Sequence, residues 1–228
     1  MLFRLLRDAF TRRQRPAPRP AAALITQDDL PTVLNVGGGT KDIAIPVHYK
    51  GWRHLLLDID PQGGADLVCD ARELIAQLPQ QFDAVYCSHN LEHYFPHDGE
   101  RVLRGFVHVL KPDGFAEIRV PDIAAVMRAM VERGLDIDDV LYHSDMGPIL
   151  VRDVIYGLHV EIERTGQDFY AHKTGFTARS LTSALLRAGF SRVALVRPIG
   201  THEVRAFAFK QEPTVAQLSA LDIPASTP

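Results

Sequence analysis

Short apolar runs alternate along the chain with segments whose apolar residues recur every three or four positions. A short apolar run bounded by turn residues is typical of a buried strand, whereas the longer spacing is typical of a helix with one buried face. The runs predict strands at residues 32–36, 54–58, 67–69, 82–87, 115–120, 191–198 and 203–210. This alternation predicts an α/β domain whose largely parallel sheet is covered by helices on both faces.

Two helices are predicted together with their ends. Apolar residues at helical spacing between Val102 and Leu110 predict one helix, and the turn at 111–114, which reads KPDG, ends it. Thr177 is expected to cap the start of a second helix and Gly189 to end it. These ends fix where the chain returns to the next strand.

The 228 residues suit one α/β domain with one insertion. We divide the chain into an arm at 1–23, a domain at 24–210 and a tail at 211–228 that we expect to be flexible. Residues 121–175 interrupt the alternation and form the insertion, with a predicted helix at 123–133. Long irregular insertions in compact domains are usually functional or mobile.

Charge is unevenly distributed along the chain. The formal net charge is -3, but residues 1–23 hold six arginines and one acid, so the arm carries +5 and the remainder -8. An acidic body argues against a groove that follows a phosphate backbone. We therefore expect no nucleic-acid partner.

The arm and the cysteines bear on location. Residues 1–12 can form a short amphipathic helix, which is either a frayed arm or a weak contact to a membrane surface; one short helix anchors weakly, which favours the frayed arm. The chain has no bilayer-length apolar run and no convincing signal peptide. Because Cys69 and Cys87 both lie in apolar runs, we read them as reduced residues and expect a cytoplasmic protein.

A glycine turn follows the first strand, where residues 33–40 read VLNVGGGT. Glycines at a strand end let the backbone turn sharply and let a ligand approach closely. A dinucleotide fingerprint would need a third glycine at position 42, where the chain has Asp42. A plain glycine turn remains the alternative.

Polar residues follow the next strands as well. Asp58 after the second strand is in register to accept the ribose hydroxyls of a nucleoside, with Asp60 as the fallback. Asp70 after the third strand can accept from an adenine amino group, and the adjacent Ala71 N–H can reach a ring nitrogen. Each acid can instead cap a turn or helix. Because ligands bind at the carboxyl ends of strands in open α/β sheets, these residues predict one site.

This order of features resembles the class I S-adenosylmethionine-dependent methyltransferase family over residues 32–120. The most specific segments are 82–93 and 109–114, which read FDAVYCSHNLEH and VLKPDG. The resemblance implies a Rossmann-like, doubly wound, mostly parallel seven-stranded sheet with an antiparallel edge strand and an insertion after strand five. A subgroup of predicted bacterial methyltransferases is similar here and shares a run like KTGFT at 173–177.

The resemblance also implies that the cofactor is S-adenosylmethionine, lying over the glycine turn with its ribose at Asp58, its adenine near Asp70 and its methionine portion beside Ser88 and His89. The residues expected to bind it are Asn35, Gly37, Gly38, Gly39, Asp58, Ile59, Asp70, Ala71, Ser88 and His89.

Three positions depart from the family pattern. Asn35 stands where the family usually has an acid, and it cannot neutralise the cofactor's ammonium group. Lys41 replaces a usual glycine, and Pro46 requires the usual first helix to be short or distorted.

Methyl transfer requires an aligned acceptor, and a base only if the acceptor must lose a proton. His93 is the first candidate for that base, ahead of Tyr94, Tyr170 and His172; the alternative is a packing role. His89, His93 and His97 are spaced by four, but Pro96 interrupts the helix that would align them, so we expect no metal site.

The leading hypothesis is a methyltransferase that acts on a small molecule or saccharide. The acceptor class is inferred from the acidic body and the lack of an RNA-binding module. The apolar run 146–151 in the insertion suggests a lid or a homodimer contact. The alternatives are a non-catalytic interaction protein with the same fold, favoured by Asn35 and Lys41, and a peripheral membrane enzyme that uses the arm.

Overall fold

The computed structural model describes residues 30–144, 147–196, 198 and 200–224. The arm therefore lies outside the described residues, as does Met146 of the apolar run. The strands are β1 (Thr32–Val36), β2 (Arg53–Asp58), β3 (Leu67–Val68), β4 (Phe82–Ser88), β5 (Leu110–Pro121), β6 (Val140–Ser144), β7 (Gly147–Leu150), β8 (Arg192–Val196) and β9 (Glu203–Phe209). The α-helices are α1 (Leu74–Gln77), α2 (Pro96–Val109), α3 (Ile123–Arg133), α4 (Val151–Tyr156), α5 (His159–Thr165), α6 (Ala178–Ala188) and α7 (Val215–Ala220).

Seven strands form the central sheet, in the order β3-β2-β1-β4-β5-β9-β8. The first five pair in parallel, and β9 is antiparallel to both β5 and β8. The predicted fold class is confirmed, with the antiparallel pairing at the β8 edge. The order reverses between β1 and β4, which is where open α/β sheets hold their ligands.

Apolar side chains of the strands and helices form the main core. The largest buried cluster joins strand residues such as Leu34 and Val85 to the inner faces of α2 and α6, at Phe106 and Leu185. Helix α6 begins at the Thr177 cap and ends at Gly189, which has a φ of 113°, as predicted. Helix α2 begins at Pro96, six residues before the predicted apolar pattern starts at Val102, because proline suits a first helical turn.

No α-helix connects β1 to β2, where the segment contains only a single 3-10 turn at Val47–Tyr49. The short or distorted first helix expected from Pro46 is confirmed. Lys41 forms an ion pair of 2.6 Å with Asp66, whose carboxylate also accepts a hydrogen bond of 2.7 Å from the N–H of Leu56. Lys41 therefore fastens this segment to the strand-two region instead of entering the ligand site.

The insertion has its own small core. Helix α3 has the predicted bounds, and β6 and β7 pair as an antiparallel hairpin outside the main sheet. Val126 and Val151 are fully buried in a cluster that also holds Leu141 and Val154. The insertion is thus a folded unit that covers one end of the sheet.

Residues 211–224, which we expected to be flexible, contain a helix. Thr214 caps helix α7, and Leu218 and Ile223 pack with 3% and 4% exposure against the side of the sheet that carries Phe209. The short length of α7 hid it from the sequence pattern. Among the described residues, no helix is both long enough and apolar enough to cross a bilayer.

Candidate active site

A cavity of about 390 Å³ opens at the carboxyl ends of β1, β2 and β4, and we call it the glycine-turn cavity. It brings together seven of the predicted site residues: Gly37, Gly39, Asp58, Ile59, Asp70, His89 and His93. Residues that the sequence reasoning missed also line it: Arg72, Asn90, Phe95, Asp98, Phe169 and Lys173. Asp60, Tyr94 and Tyr170, the weaker candidates, complete the lining.

The glycine turn has a backbone that favours glycine. Gly37 and Gly39 have φ values of 71° and 66°, in the left-handed region. A Cβ on Gly37 would lie 2.1 Å from the side-chain nitrogen of Asn90, whereas a Cβ on Gly39 would meet nothing within 4 Å. Gly37 is therefore required by packing against Asn90, and Gly39 leaves open space toward the cavity.

Asp58 connects two of the loops that form the cavity. Its carboxylate accepts hydrogen bonds from the N–H of Gly39 and the N–H of Asp60, both at 2.9 Å. Each carboxylate oxygen can accept more than one hydrogen bond, so Asp58 retains acceptor capacity for a ligand. The two hydrogen bonds from the backbone fix the orientation of the carboxylate.

Asp70 performs the capping role that the sequence left open. It accepts from the N–H of Arg72 at 2.9 Å, and the guanidinium of Arg72 pairs with it at 2.6 Å. Burial would raise the pKa of Asp70, but the hydrogen bonds and charge of Arg72 outweigh it and the pKa falls below its ordinary value. Asp70 is thus a fixed carboxylate at the cavity wall.

Four predicted cofactor residues lie outside the cavity lining: Asn35, Gly38, Ala71 and Ser88. Asn35 is 3% exposed, and a Cβ on Gly38 would lie 2.3 Å from its side-chain nitrogen. Ala71 is buried beneath the cavity at the start of a 3-10 turn. Asn35 and Gly38 therefore support the turn from below by packing against each other.

A cluster of ionisable side chains follows β4. His89 has a φ of 48°, unusual for a residue with a Cβ. Its Nε2 lies 3.0 Å from Glu203 and its Nδ1 3.4 Å from Glu92. Burial alone would lower the pKa of His89, but the hydrogen bond to Glu203 and the negative charges of Glu92 and Glu203 raise it to about 9. Backbone strain of this kind concentrates at functional sites.

The chain returning from the insertion, residues 171–176, lies against the turn that carries Glu92 and His93. The carbonyl of Glu92 accepts from the N–H of Lys173 at 2.8 Å, and the Nδ1 of His93 lies 3.1 Å from the carbonyl of Ala171. The rings of His93 and His172 are 4.9 Å apart, edge to face. His172 is 79 positions from His93 in the sequence, and these contacts bring it beside Glu92 and His93.

A second cavity, of about 840 Å³, lies between the insertion and the ends of β5 and β9, and we call it the insertion cavity. Tyr142, Ile149 and His172 of the insertion line one side, and Arg119 and Glu203 the other. His89 lines both cavities. The two spaces therefore meet at the end of β4.

His97 does not join this cluster. Its side chain is 79% exposed, and its nearest acidic partner is Asp98 at 3.8 Å. The turn at Leu91–His93 ends before α2 begins at Pro96, so no continuous helix aligns the three histidines spaced by four. The three histidines therefore do not lie along one helix.

Comparison with solved structures shows the same fold. A Pyrococcus horikoshii protein, PH0226, matches with 15% identity over 80% of this chain and 84% of the other, at a TM-score of 0.52. An S-adenosylmethionine-dependent methyltransferase from Archaeoglobus fulgidus has 16% identity over 80% of this chain and 87% of the other, at a TM-score of 0.48. A possible exported protein from Bordetella parapertussis has 18% identity over 81% of this chain, at a TM-score of 0.47. This chain spans 63% of the length of that protein. No curated protein sequence matches this chain.

The family comparison covers most of the sequence. The family model described as a methyltransferase domain matches residues 3–195. That range contains the glycine turn, Asp58, Asp70 and the segment after β4, which are the features that line the glycine-turn cavity. The family match removes the support for the non-catalytic alternative, and the cofactor of the family is S-adenosylmethionine. This chain belongs to the class I S-adenosylmethionine-dependent methyltransferases.

Proposed function

We propose that this methyltransferase acts on a small molecule or saccharide that binds in the insertion cavity. The observation that carries the proposal is that this cavity meets the glycine-turn cavity at His89. Its volume of about 840 Å³ is in the range of roughly 300–1,000 Å³ that small-molecule sites occupy. The folded insertion forms one of its walls.

The residues around the glycine turn fit the cofactor. Gly39 leaves space for close approach, Asp58 has free acceptor positions for ribose hydroxyls, and Ile59 is 51% exposed beside them as an apolar surface for the base. We assign Gly37 and Asp70 to the same site from their positions in the lining, and Asn35, Gly38, Ala71 and Ser88 to its support. S-adenosylmethionine supplies the activated methyl group when it is bound.

The remaining residues would position the acceptor and exclude water. Tyr142 and Ile149 line the insertion cavity, and the place of Ile149 in its wall supports the lid interpretation of the apolar run. The Nε2 of His93 points away from its backbone partner and, as a base, would be able to take the proton of an acceptor hydroxyl.

Methyl transfer to fractionated cell extract tests the acceptor class. Cells of the source organism are lysed, the extract is separated by mass at about 1 kDa, and each fraction is incubated with methyl-labelled S-adenosylmethionine and the enzyme. We expect label in the low-mass fraction, and a large loss of that label in Tyr142→Ala but not in Tyr156→Ala, whose side chain is exposed outside the cavity. Label confined to RNA or protein would overturn the proposal.

The expectations on partners and location extend this proposal. We propose a cytoplasmic enzyme with free thiols, and both Cys69 and Cys87 are unpaired in the structure. The homodimer contact expected from the run 146–151 is reduced in extent, because Val151 is buried inside the insertion's own core. Chemical cross-linking that yields only monomer would contradict the homodimer contact.

A further inference from the structure

Three side chains of metal-binding type converge where the two cavities meet. One ligand atom each from Glu92, His93 and His172 lies within 4.8 Å of the other two. His93 lines the glycine-turn cavity and His172 lines the insertion cavity. The cluster therefore stands at the boundary between the proposed cofactor and acceptor positions.

Glu92 is a buried carboxylate without a hydrogen-bond partner. Its exposure is 1%, and neither of its oxygens has a hydrogen bond from any described residue. Its nearest ion-pair contacts are long, at 3.4 Å to the Nδ1 of His89 and 4.0 Å to the Nε2 of His172. Buried charges in proteins are paired or coordinate metals. The long contact to His89 leaves both carboxylate oxygens of Glu92 without a hydrogen bond, so they can bind a metal ion.

Both histidines have the orientation of metal ligands. The Nδ1 of His93 lies 3.1 Å from the carbonyl of Ala171, and the Nδ1 of His172 lies 2.9 Å from the carbonyl of Val154. A carbonyl only accepts, so each Nδ1 carries the proton and each neutral ring keeps its Nε2 lone pair. Metal-binding histidines commonly donate their other N–H to a carbonyl or carboxylate in this way.

We propose that Glu92, His93 and His172 form a binding site for a divalent metal ion of the zinc type. Two imidazole nitrogens and one carboxylate oxygen make a ligand set found in catalytic zinc sites, which keep a fourth position open. Bond lengths near 2.1 Å would place ligand atoms about 3.4 Å apart in a tetrahedral site. The ligand atoms of the three residues lie within 4.8 Å of one another, so reaching that spacing would require the side chains to close by as much as about 1.4 Å.

The position of the site gives the ion a role, and this part rests on the proposed acceptor cavity. An ion there would bind an acceptor hydroxyl through its open position and lower the pKa of that hydroxyl. His93 would then act as a ligand and not as the base. The acceptor class narrows accordingly to molecules that present a hydroxyl to the metal.

Calorimetric titration with Zn²⁺ alone tests the site without any acceptor. The full chain, free of a histidine tag and treated with chelator, is titrated beside Glu92→Gln, His172→Ala and the control His97→Ala. We expect one Zn²⁺ per chain at micromolar or tighter affinity, a loss of at least tenfold in the first two variants, and no change in the control. Absence of saturable binding, or equal binding in all variants, would overturn the proposal.

Two further measurements separate the possible failures. Each variant is titrated with S-adenosylmethionine, so a loss of metal binding with cofactor binding retained reports the site and not misfolding. Anomalous scattering from Zn²⁺-soaked crystals of the unsubstituted protein locates the ion directly, and density away from these three residues would refute the site. If Zn²⁺ binds at the site but chelator does not change the rate of methyl transfer, the binding site stands and its role in transfer is overturned.

Discussion

At the scale of single residues, the site combines features that sequence order predicts with features that it does not. Gly37 follows β1, Asp58 ends β2 and Asp70 lies two residues after β3, so their place at the sheet edge could be predicted from the strand pattern alone. Glu92 lay inside a recognised motif but had no predicted role, because its neighbour His172 comes from a distant segment. Only the paired backbone of residues 171–176 brings them together.

The two glycines of the turn provide a matched prediction. Gly37→Ala should destabilise the fold, because its φ of 71° is strained and its Cβ would displace Asn90. Gly39→Ala should cost only about 1–2 kcal/mol of strain but weaken cofactor binding, because its Cβ would enter open cavity space.

Thermal unfolding and cofactor titration of the two variants check this. A Gly39→Ala variant that binds the cofactor as well as the unsubstituted protein would show that the ligand does not approach the turn.

At the scale of elements, a buried ion network joins three segments. Glu117 on β5 is fully buried and pairs with His48 at 2.8 Å, Arg119 at 2.9 Å and Arg205 of β9 at 2.7 Å. Burial would raise the pKa of Glu117, but the hydrogen bond from His48 and the charges of Arg205 and Arg119 lower it. The strand pattern predicted β5 and β9 but could not reveal this network, since its members lie on different elements.

Glu117→Gln should lower the free energy of unfolding by roughly 3 kcal/mol at neutral pH, because it leaves buried cationic partners uncompensated. Urea unfolding measures the change, with Glu132→Gln as a control on the exposed face of α3. Because the folded pKa is depressed, the contribution of Glu117 is present above its unfolded pKa of about 4.3 and is lost as pH falls through the folded pKa. A difference between variant and unsubstituted protein that persists unchanged at acid pH would contradict this.

Helix α7 gives a second prediction at this scale. Leu218→Ala should cost about 3 kcal/mol because it removes a buried side chain, whereas Val215→Ala, at a position 72% exposed, should change stability by less than about 0.5 kcal/mol. Chemical unfolding of both variants measures the two values. Equal, small effects would restore the flexible tail that the sequence suggested.

At the scale of the whole molecule, one sheet and one insertion build two adjoining cavities. The alternation of strands and helices was enough to predict the sheet and its order of ligand residues, because both depend on local periodicity. The insertion cavity could not be predicted, since its walls combine Tyr142, Arg119 and Glu203 from separate elements. The residues of the insertion that line this cavity could therefore be identified only from the structure.

The basic arm carries a prediction for the whole chain. The arm at residues 1–23 carries +5, and the single short helix that its sequence predicts should bind membranes weakly. In flotation with vesicles of anionic lipid at physiological salt, we expect the full chain and a chain lacking residues 1–23 to remain together at the bottom of the gradient. Flotation of the full chain alone would instead support the peripheral membrane enzyme.

Calorimetric titration with S-adenosylmethionine tests the central claim most directly. The unsubstituted chain is compared with Asp58→Ala and with Asp42→Ala, which removes the same charge from an exposed position outside the cavity lining. We predict one saturable site at micromolar affinity, at least tenfold weaker binding in Asp58→Ala, which is about 1.4 kcal/mol, and no change in Asp42→Ala. No binding up to millimolar cofactor in a folded sample, or undiminished binding in Asp58→Ala, would contradict the account.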